Sequence, residues 1–361
     1  MVYNLKRPVR AHDALPVDFY SECDSTSTIE AIAEALRRGG HAVHLVEADA
    51  NLPAWLAAHP VNVVFNIAEG AAGPHRESQV PAILESLGIP FTGSDSVTLA
   101  LALDKARTKQ VLAYEGIATP AWQLFEHVEA ALNPKLAFPL IVKPNHEGSA
   151  KGIWRDSVVR DEIELRRQIR RILEQYRQPA LVEEFIDGIE LTVGVLGNAP
   201  SMALPVLEID FASCATSGEF FYSWPMKEYQ GDIARGLAPT FHCPARLEVS
   251  STRKIQALAI RAHQALGCRE FSRTDIRLRA DGVPFVLEIN PLPGLDPSES
   301  NFPIMTTAAG LSYPTVINRL VEMAVVRSRG SARLQEPPSH IVGASISTCA
   351  TGPLMASPAT P

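Results

Sequence analysis

One stretch constrains the fold of this chain more than any other: Arg273-Thr274-Asp275-Ile276-Arg277-Leu278-Arg279-Ala280-Asp281-Gly282-Val283-Pro284-Phe285-Val286-Leu287-Glu288-Ile289-Asn290. Two alternating runs flank Asp281-Gly282, a pair that favours a two-residue hairpin turn because both central positions need positive φ. If Ala280 pairs with Val283, the same register sets Asp275 opposite Glu288 and Arg273 opposite Asn290. Ile276, Leu278, Phe285, Leu287 and Ile289 then fill the other face. Two carboxylates directly opposite, with Cβ atoms about 5 Å apart, destabilise a sheet unless positive charge lies between them. Arg277 would supply that charge on a solvated, salt-bridged face. A divalent cation would supply it on a binding face, because two carboxylates and the amide oxygen of Asn290 are hard oxygen ligands of the kind magnesium takes while sharing substrate phosphates.

At 361 residues the chain exceeds what one hydrophobic core organises, so two or three subdomains are expected. With 33 Lys and Arg against 40 Asp and Glu the net charge is −7, and no basic block interrupts the sequence. That balance argues against nucleic acid or an anionic membrane as the main partner and for small molecules. No apolar run approaches the roughly 18 residues of a membrane span, and no apolar stretch follows the charged N-terminus, so a soluble, cytoplasmic protein is expected. Cys23, Cys214, Cys243, Cys268 and Cys349 are odd in number and lack C-x-x-C spacing. They support neither a disulfide framework nor a thiolate zinc site.

Ile29, Ile32, Ala33 and Leu36 recur at helical spacing before Gly39-Gly40, predicting a helix over 28–38. The segments 41–48 and 61–67 predict strands, the second buried, parallel and carrying Glu69-Gly70 at its end. Residues 79–87 and 97–115 predict helices. The apolar strand 138–144 ends in Lys143-Pro144 and leads into a Gly/Ser loop over 145–152. Asp161 and Glu164 form a capping pair for a helix to Tyr176, with Ile163, Ile169, Ile172, Leu173 and Tyr176 along one side. Strands are predicted around 181–185 and 191–195, and a helix over 247–266. The expectation is an α/β (α+β) fold with an αβ domain over 1–100, a central subdomain over 101–195 and a C-terminal subdomain over 196–330. Residues 331–361, rich in Ser, Ala, Thr and Pro, read as a disordered tail.

Three further signals accompany the hairpin. Lys143 ends an apolar strand, where a lysine calls for an anion, and the glycines after it let backbone N–H groups approach phosphate. Lys105 offers another cation, though taken alone it reads more readily as an ordinary solvated helix lysine. Glu183-Glu184-Phe185-Ile186-Asp187-Gly188-Ile189-Glu190 reads as strand, turn and strand, its carboxylates accepting from a ribose or an amino group or equally forming plain surface charge.

In this order the signals resemble the ATP-grasp superfamily, and within it the D-alanine:D-alanine ligase branch, over about 61–325. The most similar pieces are Val64-Phe65-Asn66, Gly88-Ile89-Pro90-Phe91-Thr92-Gly93-Ser94, Asp104-Lys105 with Thr108-Lys109, Ile141-Val142-Lys143-Pro144 with Glu147-Gly148-Ser149, Leu266-Gly267-Cys268, Arg273-Thr274-Asp275, and Glu288-Ile289-Asn290 with Pro293-Gly294. The resemblance implies an ATP-grasp fold, a pre-ATP-grasp domain followed by two subdomains that enclose ATP. Lys105, Lys143 and Lys227 would hold phosphates, with Glu147 in the loop above them. Glu183 and Ile186 would border adenine and Glu190 the ribose. Asp275, Glu288 and Asn290 would hold two magnesium ions, replaceable by manganese. The implied reaction is carboxylate attack on the γ-phosphate followed by amine attack on the acyl phosphate, with Arg273 and the Gly294 N–H stabilising the oxyanion. Amino acids are the implied substrates, and a homodimer serving peptidoglycan precursor synthesis the implied setting.

The substrate end departs from the family pattern. Where the family has a glycine-rich loop carrying the glutamate that holds an ammonium, this chain has Tyr20-Ser21-Glu22-Cys23-Asp24-Ser25, which makes Glu22 the candidate, with Asp24 behind it. Glu69 replaces a histidine. Glu228 replaces a tyrosine that partners the loop serine, here Ser149, while Tyr229 lies one place late. Ser298 or Ser300 would receive the second substrate's carboxylate. The extra carboxylates at 69 and 228 suit a substrate with more positive charge or more hydrogen-bond donors than alanine; alternatively they point away from the pocket. Three functions follow: a ligase forming D-alanyl-D-alanine, one joining another amino acid or a specialised metabolite, and an ATP-binding regulatory module. Arg273 argues against the last, since binding alone needs no oxyanion donor. A dehydrogenase is excluded by the lack of a G-x-G-x-x-G after a strand.

Overall fold

The computed structural model describes residues 1–335 apart from 11, 12, 14 and 71. Parallel pairing organises the N-terminal part. Strand Val2–Tyr3 runs beside Val46–Glu47, and single parallel bridges from Val2 to Asn66 and from Val64 to Phe91 extend it. The segments 41–48 and 61–67 therefore pair over far shorter lengths than their hydrophobicity predicts. One reason is local: the Asn66 N–H bonds to the Thr92 hydroxyl, a side-chain acceptor in place of a ladder carbonyl. Helix Thr26–Arg38, N-capped by Ser25, packs its Ile32 and Leu36 into the largest core of the molecule.

Two antiparallel sheets follow. The first has the order Trp122–Phe125, Ala180–Glu184, Leu140–Pro144, Val158–Val159, and its apolar face meets helix Glu162–Arg171 through Leu165 and Ile169. Ile163, expected on that face, points to solvent; Leu165 takes its place, and a π-turn over Ile172–Tyr176 then shifts the helical phase. The second sheet runs Thr240–His242, Leu207–Asp210, Gly188–Leu196, Phe271–Arg279, Pro284–Asn290. Strand Gly188–Leu196 pairs with Phe271–Arg279 along its whole length, so the boundary between subdomains falls near 187 rather than at 195. One face of this sheet carries helix Val249–Ala265, and the other carries Phe302, Ile317 and Leu320 together with the N-terminal helix. The last helix, Tyr313–Gln335, extends five residues into the segment expected to be a tail, and the rest of that segment lies outside the described residues.

Two local departures position the site. The single helix predicted over 97–115 breaks into Ser96–Leu103 and Lys105–Tyr114. Asp104 leaves the helix and caps the second one, accepting from the Arg107 N–H at 3.0 Å, while Asn145 takes the Lys105 and Ala106 N–H groups. Lys105 and Lys109 thereby lie one turn apart on one face. In the hairpin, the Arg279 N–H bonds to the Val283 carbonyl, so the turn holds three residues, with Gly282 at φ +80°. Ile276 then faces Val286, and an unpaired Leu287 bulges out before Glu288. The extra turn residue and the bulge offset each other, and Asp275 faces Glu288 as predicted. Between them the faces are exchanged. Val286 is buried in the core, Phe285 lies 4.9 Å under the Arg279 guanidinium, and Leu287 joins Glu288 on the cleft side.

Candidate active site

A cleft opens between the two antiparallel sheets and ends against the N-terminal unit, and all but one of the predicted site residues line it. On its floor Asp275 accepts from Arg273 at 3.0 and 3.1 Å, from Thr192 Oγ1 at 2.6 Å and from Asn290 Nδ2 at 3.0 Å. Glu288 sits 3.1 Å from Lys105 Nζ. Burial opposes its ionisation, but Lys105, Lys143 and Arg273 outweigh burial and hold it at about 2. The charge that reconciles the facing carboxylates thus comes from Arg273 and Lys105. Arg277 turns instead to Glu190, at 2.6 Å, and stacks over Phe185. The donor set fits magnesium: two carboxylates and an amide that can turn its oxygen inward, gathered on one face by register. Among the described residues no third His, Cys, Asp or Glu joins them, which leaves coordination positions for phosphate and water.

Lys105 is buried rather than solvated. Lys143 and Lys109 both contact Glu183, at 2.5 and 2.8 Å, in the interior of the first sheet. Each oxygen of Glu183 carries an ammonium, so this side chain is the counter-ion of two lysines. Lys109 went unassigned in the sequence because its anion lies 74 positions away across the sheet.

The Gly/Ser loop turns through left-handed residues Ser149 and Ala150, at φ 52° and 56°. Ser149 accepts from Lys227 Nζ at 3.0 Å, so Lys227 takes the position expected of a tyrosine, and Tyr229 packs instead against Trp224 and Arg235. Burial and Arg273 push Lys227 down to about 8. A Lys227 that titrates there predicts that kcat/KM for ATP falls as the pH rises through about 8. Lys227→Met should remove that limb and cost about 10²-fold in a steady-state ADP-release assay.

Beneath the loop lies a cluster whose cations, Arg76 and Lys151, sequence reading missed. Glu22 accepts from Arg76 Nη2 at 2.5 Å, from the Gly148 N–H at 2.5 Å and from Lys151 at 3.3 Å, and Burial opposes its ionisation while Lys151 and Arg76 hold it at about 2. Glu147 joins through Lys151, Arg76 and Gln178. Both glutamates are therefore held as loop anchors, Glu22 by Arg76, Lys151 and the Gly148 N–H, and Glu147 by Lys151, Arg76 and Gln178. Arg76 and Lys151 had no motif to mark them.

At the substrate end, Glu228 is paired with Lys6 at 2.9 Å. Ser298 is exposed, lies off the cleft and donates to Asp296 at 2.7 Å; it is the one predicted residue outside the site. Ser300 faces the cleft beside Gly294, where a Cβ would come 2.8 Å from its hydroxyl. Glu69 is held far above the usual carboxylate range by burial and then by Glu77. Gly70, at φ +77°, creates that approach, since a Cβ there would lie 2.4 Å from the Arg76 carbonyl oxygen. Backbone meets backbone, so neither side can rotate away. Gly70→Ala is expected to cost about 2–4 kcal/mol, measured by urea unfolding.

Paired sheets closing over a glycine-rich loop, with lysines above and carboxylates below, define an ATP-grasp fold. The family model for the D-ala D-ala ligase C-terminus matches residues 106–322. The chain is 34% identical to the D-alanine:D-alanine ligase of Acidovorax ebreus across 81% of this chain and 84% of that one. It is 33% identical to an uncharacterized protein of Sinorhizobium fredii across 84% and 89%. The ATP-complexed D-alanine:D-alanine ligase structure from Bacillus anthracis superposes with a TM-score of 0.69 at 23% identity, covering 91% of this chain and 99% of that one. The chain belongs to the D-alanine:D-alanine ligase family, a family of ATP-dependent dipeptide ligases. Among the described residues no helix is long and apolar enough to cross a membrane.

Proposed function

We propose that this protein joins two amino acids through an acyl phosphate, with D-alanyl-D-alanine as the reference product. The observation that carries the reading is the convergence of Asp275, Glu288 and Asn290 with Lys105, Lys143 and Lys227 on one cleft, where Arg273 is also held. Lys105, Lys143 and Lys227 would meet the ATP phosphates under the loop, and Ile186 and Glu190 the nucleoside. Asp275, Glu288 and Asn290 would hold magnesium, which supplies neutralisation of the transferring phosphoryl group. A substrate carboxylate oxygen attacks the γ-phosphorus and ADP leaves. The second substrate's amine attacks the acyl carbon, phosphate leaves and the nitrogen gives up a proton. Arg273 and the Gly294 N–H would hold the oxyanion between these steps. Ser300 would receive the second substrate's carboxylate.

The reading extends to a cytoplasmic homodimer in peptidoglycan precursor synthesis. It is tested by ADP and phosphate release from purified protein against D- and L-amino acids, singly and in pairs, with product masses recorded. Release that needs both magnesium and an amino acid is expected. Tight ATP binding with no release for any amino acid would instead establish a binding module.

A further inference from the structure

Resting on that ligase reading, we propose that one substrate is a basic amino acid, its side-chain cation held between Glu69 and Glu77 at the N-terminal end of the cleft. The cleft is crowded with carboxylates, yet Glu22, Glu183, Glu190, Glu228 and Glu288 each carry an ammonium or guanidinium partner. Glu69 and Glu77 do not. Both line the cleft, and among the described residues neither carboxylate has a hydrogen-bond or ion-pair partner. Glu77 is only 7% exposed. A buried carboxylate without a partner is costly, and such a group persists where a ligand completes it.

The nearby cations are otherwise engaged. Lys105 is held by Glu288 and the Glu147 carbonyl, and Arg76 by Glu22, Glu147 and the His146 carbonyl. The Gly70 contact fixes the segment bearing Glu69 against the first turn of helix Arg76–Ser86, which bears Glu77. Burial raises both groups, Glu77 to about 7 against the pull of Arg76 and Lys105, so each carboxyl favours its proton until a cation arrives. Asp24, on the same side, likewise has no side-chain partner among the described residues and is raised to about 7 by burial and Asp296. One α-ammonium, which is all that alanine brings, leaves part of this charge unmatched. A diamino or guanidino acid brings the second cation.

The test measures magnesium-dependent ADP release with 2,4-diaminobutyrate, ornithine, lysine and arginine, both enantiomers, each paired with D-alanine. Norleucine serves as the uncharged match for lysine and D-alanine alone as reference. At least one basic acid should exceed norleucine and D-alanine by about tenfold or more in kcat/KM. Glu69→Gln and Glu77→Gln should each lower that ratio by a similar factor. ATP-induced shifts in melting temperature report that the variants still fold. D-alanine turning over as well as every basic acid, or a ratio unmoved in both variants, overturns the inference and leaves the ligase intact. Silence with every amino acid removes the ligase reading, and this inference with it.

Discussion

Asp275→Asn lowers the rate of magnesium-dependent ADP formation by about 10³-fold, the order set by losing several kcal/mol of charge stabilisation on a transferring phosphoryl group. The substitution keeps the size of the side chain, and its remaining oxygen still accepts from Thr192; the new NH2 takes the place of the oxygen that accepted from Asn290, whose amide must turn over to accept from it. It removes the charge that faces Glu288 and balances Arg273. Glu288→Gln should reduce the rate comparably and in addition destabilise the fold, because buried Lys105 loses its anion. With Glu288 held at about 2 in the folded chain, its contribution to stability is fully present above the ordinary carboxylate pKa and is lost as the pH falls toward 2. The Gln variant should lack that part of the acid transition. A magnesium titration separates roles: in Asp275→Asn half-maximal activity moves to higher magnesium. An unchanged titration, with a rate within tenfold of the parent, would remove Asp275 from the metal site.

How much of this was legible in the sequence depended on the range over which each feature is determined. The facing of Asp275 and Glu288 follows from alternation and one turn, both local, and survives even though the turn holds three residues and a bulge intervenes. The count came out right because two one-residue offsets have opposite sense. Val286 and Phe285, which lie between the offsets, show the error that the site residues escape. The helix over 97–115 looked continuous because its apolar spacing is; Asn145, which takes the first N–H groups of the second half beside the Asp104 cap, comes from the turn after a strand 40 positions later. Likewise, nothing near Glu22 in sequence announces that Arg76 and Lys151 neutralise it, so an ammonium-binding role was the natural reading of an isolated glutamate. Pairing partners distant in sequence decide whether a carboxylate is available chemistry or part of the scaffold.

Arg76→Met tests that distinction most severely. The side chain is buried and donates to Glu22, Glu147 and the His146 carbonyl, joining the N-terminal unit to the phosphate loop. Methionine fills much of the volume but removes the charge, leaving Lys151 alone between two buried carboxylates. Breaking a buried network by deleting one partner costs about 3–5 kcal/mol, more than a typical surface ion pair by several-fold. In denaturant unfolding the loss should therefore reach several kcal/mol at pH 7. It should shrink as the pH falls toward 2, because Glu22, held at about 2 by Lys151 and Arg76 against burial, draws on Arg76 only while ionised. The loop that Glu22 grips through the Gly148 N–H should loosen, raising KM for ATP more than it lowers kcat. Combining Arg76→Met with Glu22→Gln removes the uncompensated anion along with its partner, so the double variant should be more stable than Arg76→Met alone. A double variant whose losses simply add would mean that the two side chains act independently, and that the loop is positioned by its backbone turns at Ser149 and Ala150 instead.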